Sequence, residues 1–156
     1  MSVEVRPATI HDRAPLGELL ARVENFSADE VAVALELIDA GIAGSPDYAI
    51  RVAVLAGKVV GYVCFGPTPM TEGTYDMYWI ASDPAVRGQG AGAALVRAMQ
   101  AELRARGGRI VRVETAATEL YGPTREFYAR LEFVEECRFR DFYRQGEDLV
   151  TLSKRL

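Results

Sequence analysis

The apolar positions change period several times along the chain, and the changes mark out its elements. Val3 to Arg6 alternates apolar and charged residues before Pro7, which predicts a short strand. Leu16, Leu19, Leu20 and Val23 then recur at helical spacing, predicting a helix from about Ile10 to Val23. A second helix is better marked. Ser27 with Glu30 forms a capping box, Val31, Leu35 and Ile38 make a stripe, and Gly41 reads as the stop. Tyr48 to Leu55 and Val59 to Phe65 are both β-rich, and the short turn Ala56-Gly57-Lys58 between them predicts an antiparallel hairpin.

Gly66 to Gly73, with Pro67 and Pro69, reads as a loop before a third strand from Tyr75 to Ala81. A long helix follows from about Gly90 to Arg106, with Leu95, Ala98, Met99 and Leu103 on one face and Gly107-Gly108 at its end. Ile110 to Thr115 is a strand, and Pro123 opens a short helix that runs to about Leu131. Strands at Phe133 to Tyr143 and Leu149 to Leu156 close the chain. The order βααβββαβαββ predicts an α/β (α+β) fold, a mixed, mostly antiparallel sheet flanked by about four helices.

Composition narrows the class. The 156 residues are 49% hydrophobic and 26% charged, which excludes a wholly disordered chain. They suit one domain over residues 1–156, and a domain of this size buries about 68–70% of its unfolded surface, enough to fold without a metal or disulfide staple. The net charge of −4 argues against a nucleic-acid partner. The longest uncharged run, Val59 to Thr71, is too short to span a bilayer, and Met1 to Arg13 carries Glu4, Arg6 and Asp12 where a signal peptide needs an apolar core. Cys64 and Cys137 fit neither a disulfide framework nor a paired metal motif. The expectation is a cytoplasmic protein with no membrane, nucleic-acid or metal partner.

The segment richest in chemistry is Ser82-Asp83-Pro84-Ala85-Val86-Arg87-Gly88-Gln89-Gly90-Ala91-Gly92, between a strand and the long helix. Three glycines within five residues let backbone N–H groups converge on one anion, the helix directs its positive end there, and Arg87 adds a fixed charge. A pyrophosphate is the natural guest. Gly88, Gly90 and Ala93, with Glu114 in the next strand, also fit a dinucleotide fingerprint. That reading conflicts with its context, because an antiparallel hairpin precedes the loop and too few residues follow to complete a doubly wound sheet.

Arg87-x-x-Gly90-x-Gly92 resembles the R/Q-x-x-G-x-G/A motif of the GNAT superfamily of N-acetyltransferases, and Phe127-Tyr128 resembles that family's F/L-Y pair on the fourth helix. The element order is similar over essentially the whole chain. The resemblance implies acetyl-CoA as acyl donor, no metal, and a small-molecule or peptide amine as acceptor. The amides from Gly88 through Gln89, Gly90 and Ala91 to Gly92 would then hold the pyrophosphate beside Arg87, and the backbone of Ile80, Ala81 and Ser82 would pair with the pantetheine arm. Dimers formed through the last strands occur in the superfamily, and nothing in the sequence demands one. A non-catalytic acyl-CoA-binding module on the same fold is the competing reading.

Acetyl transfer to an amine needs a group to deprotonate the amine, a donor for the oxyanion and an acid for the departing thiolate. By resemblance Tyr128 is the acid; a phenol of pKa near 10 is protonated at neutral pH and delivers a proton to a thiolate whose parent pKa is about 8.5. Glu114 is the first choice of base and Asp76 the second, with a water relay as the alternative to both. If its strand is regular, Asp76 shares a face with Tyr78 and Ile80. Tyr121, Thr124 and Arg125 are candidate acceptor contacts, and Asp141, Phe142 and Tyr143 are placed to close that side. Tyr121, Thr124 and Glu132 depart from the family's pattern of asparagine, a small residue and glycine. A left-handed glutamate costs about 1 kcal/mol, so Glu132 predicts a helix end built differently. His11 falls in the first helix, Trp79 in the core, and Cys64 reads as inert.

Overall fold

The computed structural model describes residues 2–156. Its elements follow the predicted order: β1 (Glu4–Pro7), α1 (Arg13–Arg22), α2 (Ala28–Ile42), β2 (Ala49–Leu55), β3 (Lys58–Pro67), β4 (Thr74–Ser82), α3 (Ala91–Ala105), β5 (Ile110–Ala116), α4 (Gly122–Arg130), β6 (Val134–Arg144) and β7 (Glu147–Arg155). The strands form one seven-stranded sheet in the order β1-β2-β3-β4-β5-β7-β6. Every neighbouring pair is antiparallel except β4 and β5, which are parallel and joined through α3. Among the described residues no helix is long and apolar enough to cross a membrane.

Each face of the sheet carries its own apolar layer. On one side Leu95, Val96, Met99 and Leu103 of α3 pack with Tyr128 of α4 onto Val63, Phe65, Met77, Val111 and Val113. On the other, Leu16, Leu19 and Leu20 of α1 and Ala34 and Ile38 of α2 cover Val52, Tyr62, Cys64 and Ala81. Full burial of each large aliphatic side chain contributes about 1.5–3 kcal/mol, so both layers are needed to hold a sheet this wide.

Local signals held where local chemistry decides. Ser27 accepts from the Glu30 amide and Glu30 from the Ser27 amide, both at 3.2 Å, closing the predicted capping box. Ala56 and Gly57 take φ of 51° and 77°, the left-handed pair that a tight hairpin turn requires. Three expectations are corrected. Ile10 to Asp12 is a 3-10 turn ahead of α1, so His11 lies outside the α-helix. Gly41 does not stop α2 but sits inside it, because a Cβ there would lie 2.4 Å from Ile50 Cγ1; the residue permits helix–strand contact. Glu132 does adopt the left-handed conformation, at φ 68°, and the helix end is built in the glycine manner with a glutamate.

The feature that creates a site is a divergence. β4 pairs with β5 only through Thr74, Tyr75 and Asp76, opposite Ile110, Val111 and Arg112. Beyond that rung β4 runs on to Ser82 beside β3, while β5 runs on to Ala116 beside β7. Phe65 stands opposite Met77 and Cys64 opposite Trp79, leaving Tyr78 as an extra residue in β4. Such a bulge bends and twists its strand, and here it turns β4 away from β5. The edge of β4 past Asp76 therefore carries backbone N–H and C=O groups that no β5 residue meets.

Candidate active site

A groove of about 660 Å³ opens against that free edge. It is lined by Ile80, Ala81 and Ser82 of β4, by Arg87, Gly88 and Gly90 of the loop, and by the first turn of α3. The volume falls in the range of about 300–1,000 Å³ usual for small-ligand sites. Gly88 and Gly90 have φ of 83° and 85°, and a Cβ on either would project into open space. Both positions require glycine for conformation, and both leave the cradle empty of side chain. The first amides of α3, at Ala91 and Gly92, have no carbonyl one turn back and so offer themselves to an anion. The Gln89 amide is different: it donates to the Val86 carbonyl at 3.2 Å, and the residue does not line the groove. The loop thus presents fewer free amides than its sequence suggests, and the residues present fit a pyrophosphate.

The loop is braced from behind. Asp83 accepts from the Ala85 amide at 3.0 Å and from Arg22 of α1 at 2.6 Å. These donors hold its carboxyl below the ordinary range, the Ala85 amide most of all. Phe26 meets Trp79 edge-on with ring centroids 5.1 Å apart. Together these contacts pin the corner between α1 and α2 and bring Asn25 into the groove lining. Sequence reasoning missed Asn25, since only the fold places it there.

α4 forms the opposite wall through Pro123, Thr124, Phe127 and Arg130. Thr124, expected at the acceptor, lines the same groove as the glycine loop. Arg125, the other residue expected at the acceptor from α4, donates from Nη1 to the Ala116 carbonyl at 2.8 Å and to the Thr118 carbonyl at 2.7 Å, clamping the end of β5 to the turn before α4. Tyr128 is 3% exposed, its ring between Phe127 and Phe133 at centroid distances of 5.3 and 5.4 Å, in the apolar layer that Ile80 also joins. Burial pushes its hydroxyl well above the ordinary tyrosine range, so it stays protonated. Its neighbours in α4, not Tyr128 itself, line the groove wall.

The two carboxylates separate clearly. Asp76 is buried, with Oδ1 accepting from Arg112 Nε at 2.6 Å and Oδ2 from Thr68 Oγ1 at 2.7 Å. Both oxygens are engaged, which disfavours proton abstraction. Glu114 is exposed, two residues past the last shared rung, on the Arg112 side of β5. The bulge corrects the expected alignment in β4: Asp76 and Tyr78 stay on that side, while Ile80 turns to the opposite layer with Met77. Near Glu114 lies Tyr143, whose hydroxyl is pushed up first by burial and then by the Glu114 charge. Tyr121 is raised by burial and by Glu30 and Glu147. Phe142 packs on Tyr143 within the last hairpin, with ring centroids 5.0 Å apart.

The acetyltransferase (GNAT) domain model matches residues 46–135, more than half of the chain. No curated protein matches the sequence. A GNAT-family protein from Desulfovibrio desulfuricans superposes over 99% of both chains with a TM-score of 0.93 and 34% identity. The ribosomal-protein-S18-alanine N-acetyltransferase of Escherichia coli covers 99% of this chain and 94% of its own, at TM-score 0.79 and 20% identity. An N-acetyltransferase of Thermoplasma acidophilum, in complex with coenzyme A, shares 16% identity over 100% of both chains at TM-score 0.76. With the glycine loop, the splayed sheet and these matches in agreement, the chain belongs to the GNAT family of acetyltransferases.

Proposed function

We propose that this chain transfers the acetyl group of acetyl-CoA directly to a primary amine of a small molecule or peptide, with both held at the splay between β4 and β5. The observation that carries this reading is the convergence of the glycine cradle and the free edge of β4 on one groove. The coenzyme A complex of the Thermoplasma relative supports it. Acetyl-CoA, when bound, supplies its acetyl group as an activated thioester. Arg87 and the amides at Gly88, Gly90, Ala91 and Gly92 bind its pyrophosphate, and the backbone of Ile80, Ala81 and Ser82 pairs with the pantetheine arm. An N–H at Ile80 or Ala81 donates to the oxygen on which charge develops. Glu114 takes the proton of the incoming ammonium, and the Tyr128 hydroxyl returns one to the thiolate.

Glu114, Tyr121 and Tyr143, with Glu30 and Glu147 close by, place negative charge and aromatic rings where the acceptor enters. That chemistry favours a cationic amine. The two free thiols, Cys64 and Cys137, support a reducing compartment, the cytoplasm. The test is thiol release from acetyl-CoA against a panel of monoamines, polyamines, aminoglycosides and free-amino-terminal peptides, alongside thermal unfolding with and without ligand. At about 100 times its Kd a bound ligand stabilises by about 2.7 kcal/mol. Amine-dependent release is expected; stabilisation by NAD and not by acetyl-CoA would overturn the reading.

A further inference from the structure

The groove's charged residues are both arginines, Arg87 and Arg130, in a chain whose net charge is −4. Arg87 lies on the glycine loop, beside the cradle that fits a pyrophosphate. Arg130 lies across from it, on the last turn of α4. Pro123, Phe127 and Arg130 follow one another at helical spacing, so they run as one stripe down the wall of the groove. The stripe touches α3 at Phe127: a Cβ built on Gly92 would lie 3.1 Å from both Cε1 and Cζ of that ring. Arg130 is about 4.5 Å further along the helix axis. It therefore lies just under one helical turn past Phe127, at the C-terminal end of α4 and still on the groove wall.

Coenzyme A carries two separate phosphate groups, the pyrophosphate and a monoester on the ribose 3′-oxygen. A phosphate monoester carries a charge of about −1.5 to −2 at neutral pH and offers three acceptor oxygens. The planar guanidinium meets two of them at once. Arg130 is held loosely where it stands: its ion pair with Glu126 is 3.8 Å long, with side chains 77% and 74% exposed. Such a pair is worth little and leaves the guanidinium available to a ligand.

We propose that Arg130 reads the 3′-phosphate of coenzyme A and so makes this chain discriminate CoA from its 3′-dephospho form, an inference that rests on the acetyl-CoA reading above. Binding of CoA and of 3′-dephospho-CoA, measured by titration calorimetry for wild type, Arg130→Gln and Arg130→Lys, tests it. Arg130→Gln is expected to raise the Kd for CoA about five- to tenfold, leave that for dephospho-CoA unchanged, and leave the ligand-free unfolding temperature unchanged. Arg130→Lys recovers part of the loss, since it keeps the charge and loses the fork. An equal loss for both ligands would put Arg130 on the pyrophosphate and overturn the proposal; no loss for either would overturn it too. A wild-type protein that binds neither ligand would instead overturn the acetyl-CoA reading itself. The expected salt dependence follows the same pattern, with the 3′-phosphate term steeper in wild type than in Arg130→Gln.

Discussion

Arg112 Nε donates to Asp76 Oδ1 at 2.6 Å across the last rung that β4 and β5 share, and one residue further on the two strands part. The carboxylate is buried and takes a second hydrogen bond from Thr68, so this contact ties the loop before β4, β4 itself and β5 together where the sheet opens. Removing a buried partner of this kind costs more than the contact is worth, because the other groups stay desolvated. Arg112 is 41% exposed in its side chain, which reduces that penalty. Asp76→Ala is expected to lower stability by about 1–3 kcal/mol in urea unfolding. Glu114→Gln, at an exposed position, is expected to leave stability unchanged and to lower kcat/KM about 100-fold or more. If Asp76→Asn caused that loss at unchanged stability and Glu114→Gln did not, the base would be Asp76.

The same rung shows what the sequence reveals and what it hides. Element order, the capping box of Ser27 and Glu30 and the Ala56-Gly57 turn depend on neighbours a few residues apart, and the chain spells them out. The glycine cradle is equally local. The extra residue at Tyr78 depends on how β3 pairs with β4, and strand alternation read from one chain carries no trace of it. Gly41 misled for a related reason: the close approach of Ile50 that demands glycine comes from another element. The sequence places Arg125 in a cluster at the start of the fourth helix but does not reveal that the carbonyls of Ala116 and Thr118 accept from its Nη1. Arg130 was legible in principle, three residues after Phe127 on one helical face.

Glu132 stores strain that a single substitution releases. At φ 68° its amide donates to the Ala129 carbonyl and the Phe133 amide to the Tyr128 carbonyl, each at 3.0 Å, the pattern that usually carries glycine. The ion pair with Lys154 is 3.6 Å long and the glutamate side chain 84% exposed, so it offsets little. Lys154 also donates to the Leu131 carbonyl at 2.8 Å, a contact that does not need Glu132. Glu132→Gly is expected to stabilise the fold by about 0.5–1 kcal/mol in chemical denaturation, and Glu132→Ala to gain nothing. A loss of stability in the glycine variant would show that the ion pair outweighs the strain.

The two thiols differ in environment and should differ in behaviour. Cys64 is 0% exposed and its thiol is pushed up by burial to about 12, whereas Cys137 is exposed on β6. A water-soluble disulfide reagent is expected to label one thiol in the native protein and two in denaturant, with Cys137→Ser abolishing the native reaction. Below the ordinary value of 9.0 both states keep the Cys64 proton; between there and about 12 the unfolded chain loses it and the folded chain does not. Stability therefore falls as pH rises through that window. Cys64→Ala is expected to lower stability at neutral pH and to flatten the alkaline slope; an unchanged slope would assign it to buried Tyr62 and Tyr128, which are also pushed up.

Tyr128 carries the least redundant role in the proposed chemistry, and its burial separates that role from packing. The ring fills the space between Phe127 and Phe133, and phenylalanine fills the same space. Tyr128→Phe is therefore expected to leave the fold and the Kd for acetyl-CoA nearly unchanged while kcat falls about 10- to 100-fold. That is at or below the low end of general acid catalysis, because a thiolate is already a fair leaving group. Because burial holds the hydroxyl above the ordinary tyrosine range, the acid stays protonated and adds no alkaline limb below about pH 10. The wild-type profile should accordingly show no fall below about pH 10, and the variant should follow the same curve at lower height. A kcat equal to wild type would leave Tyr128 a core residue only, and a falling alkaline limb lost in the variant would mean that its hydroxyl titrates in the working range.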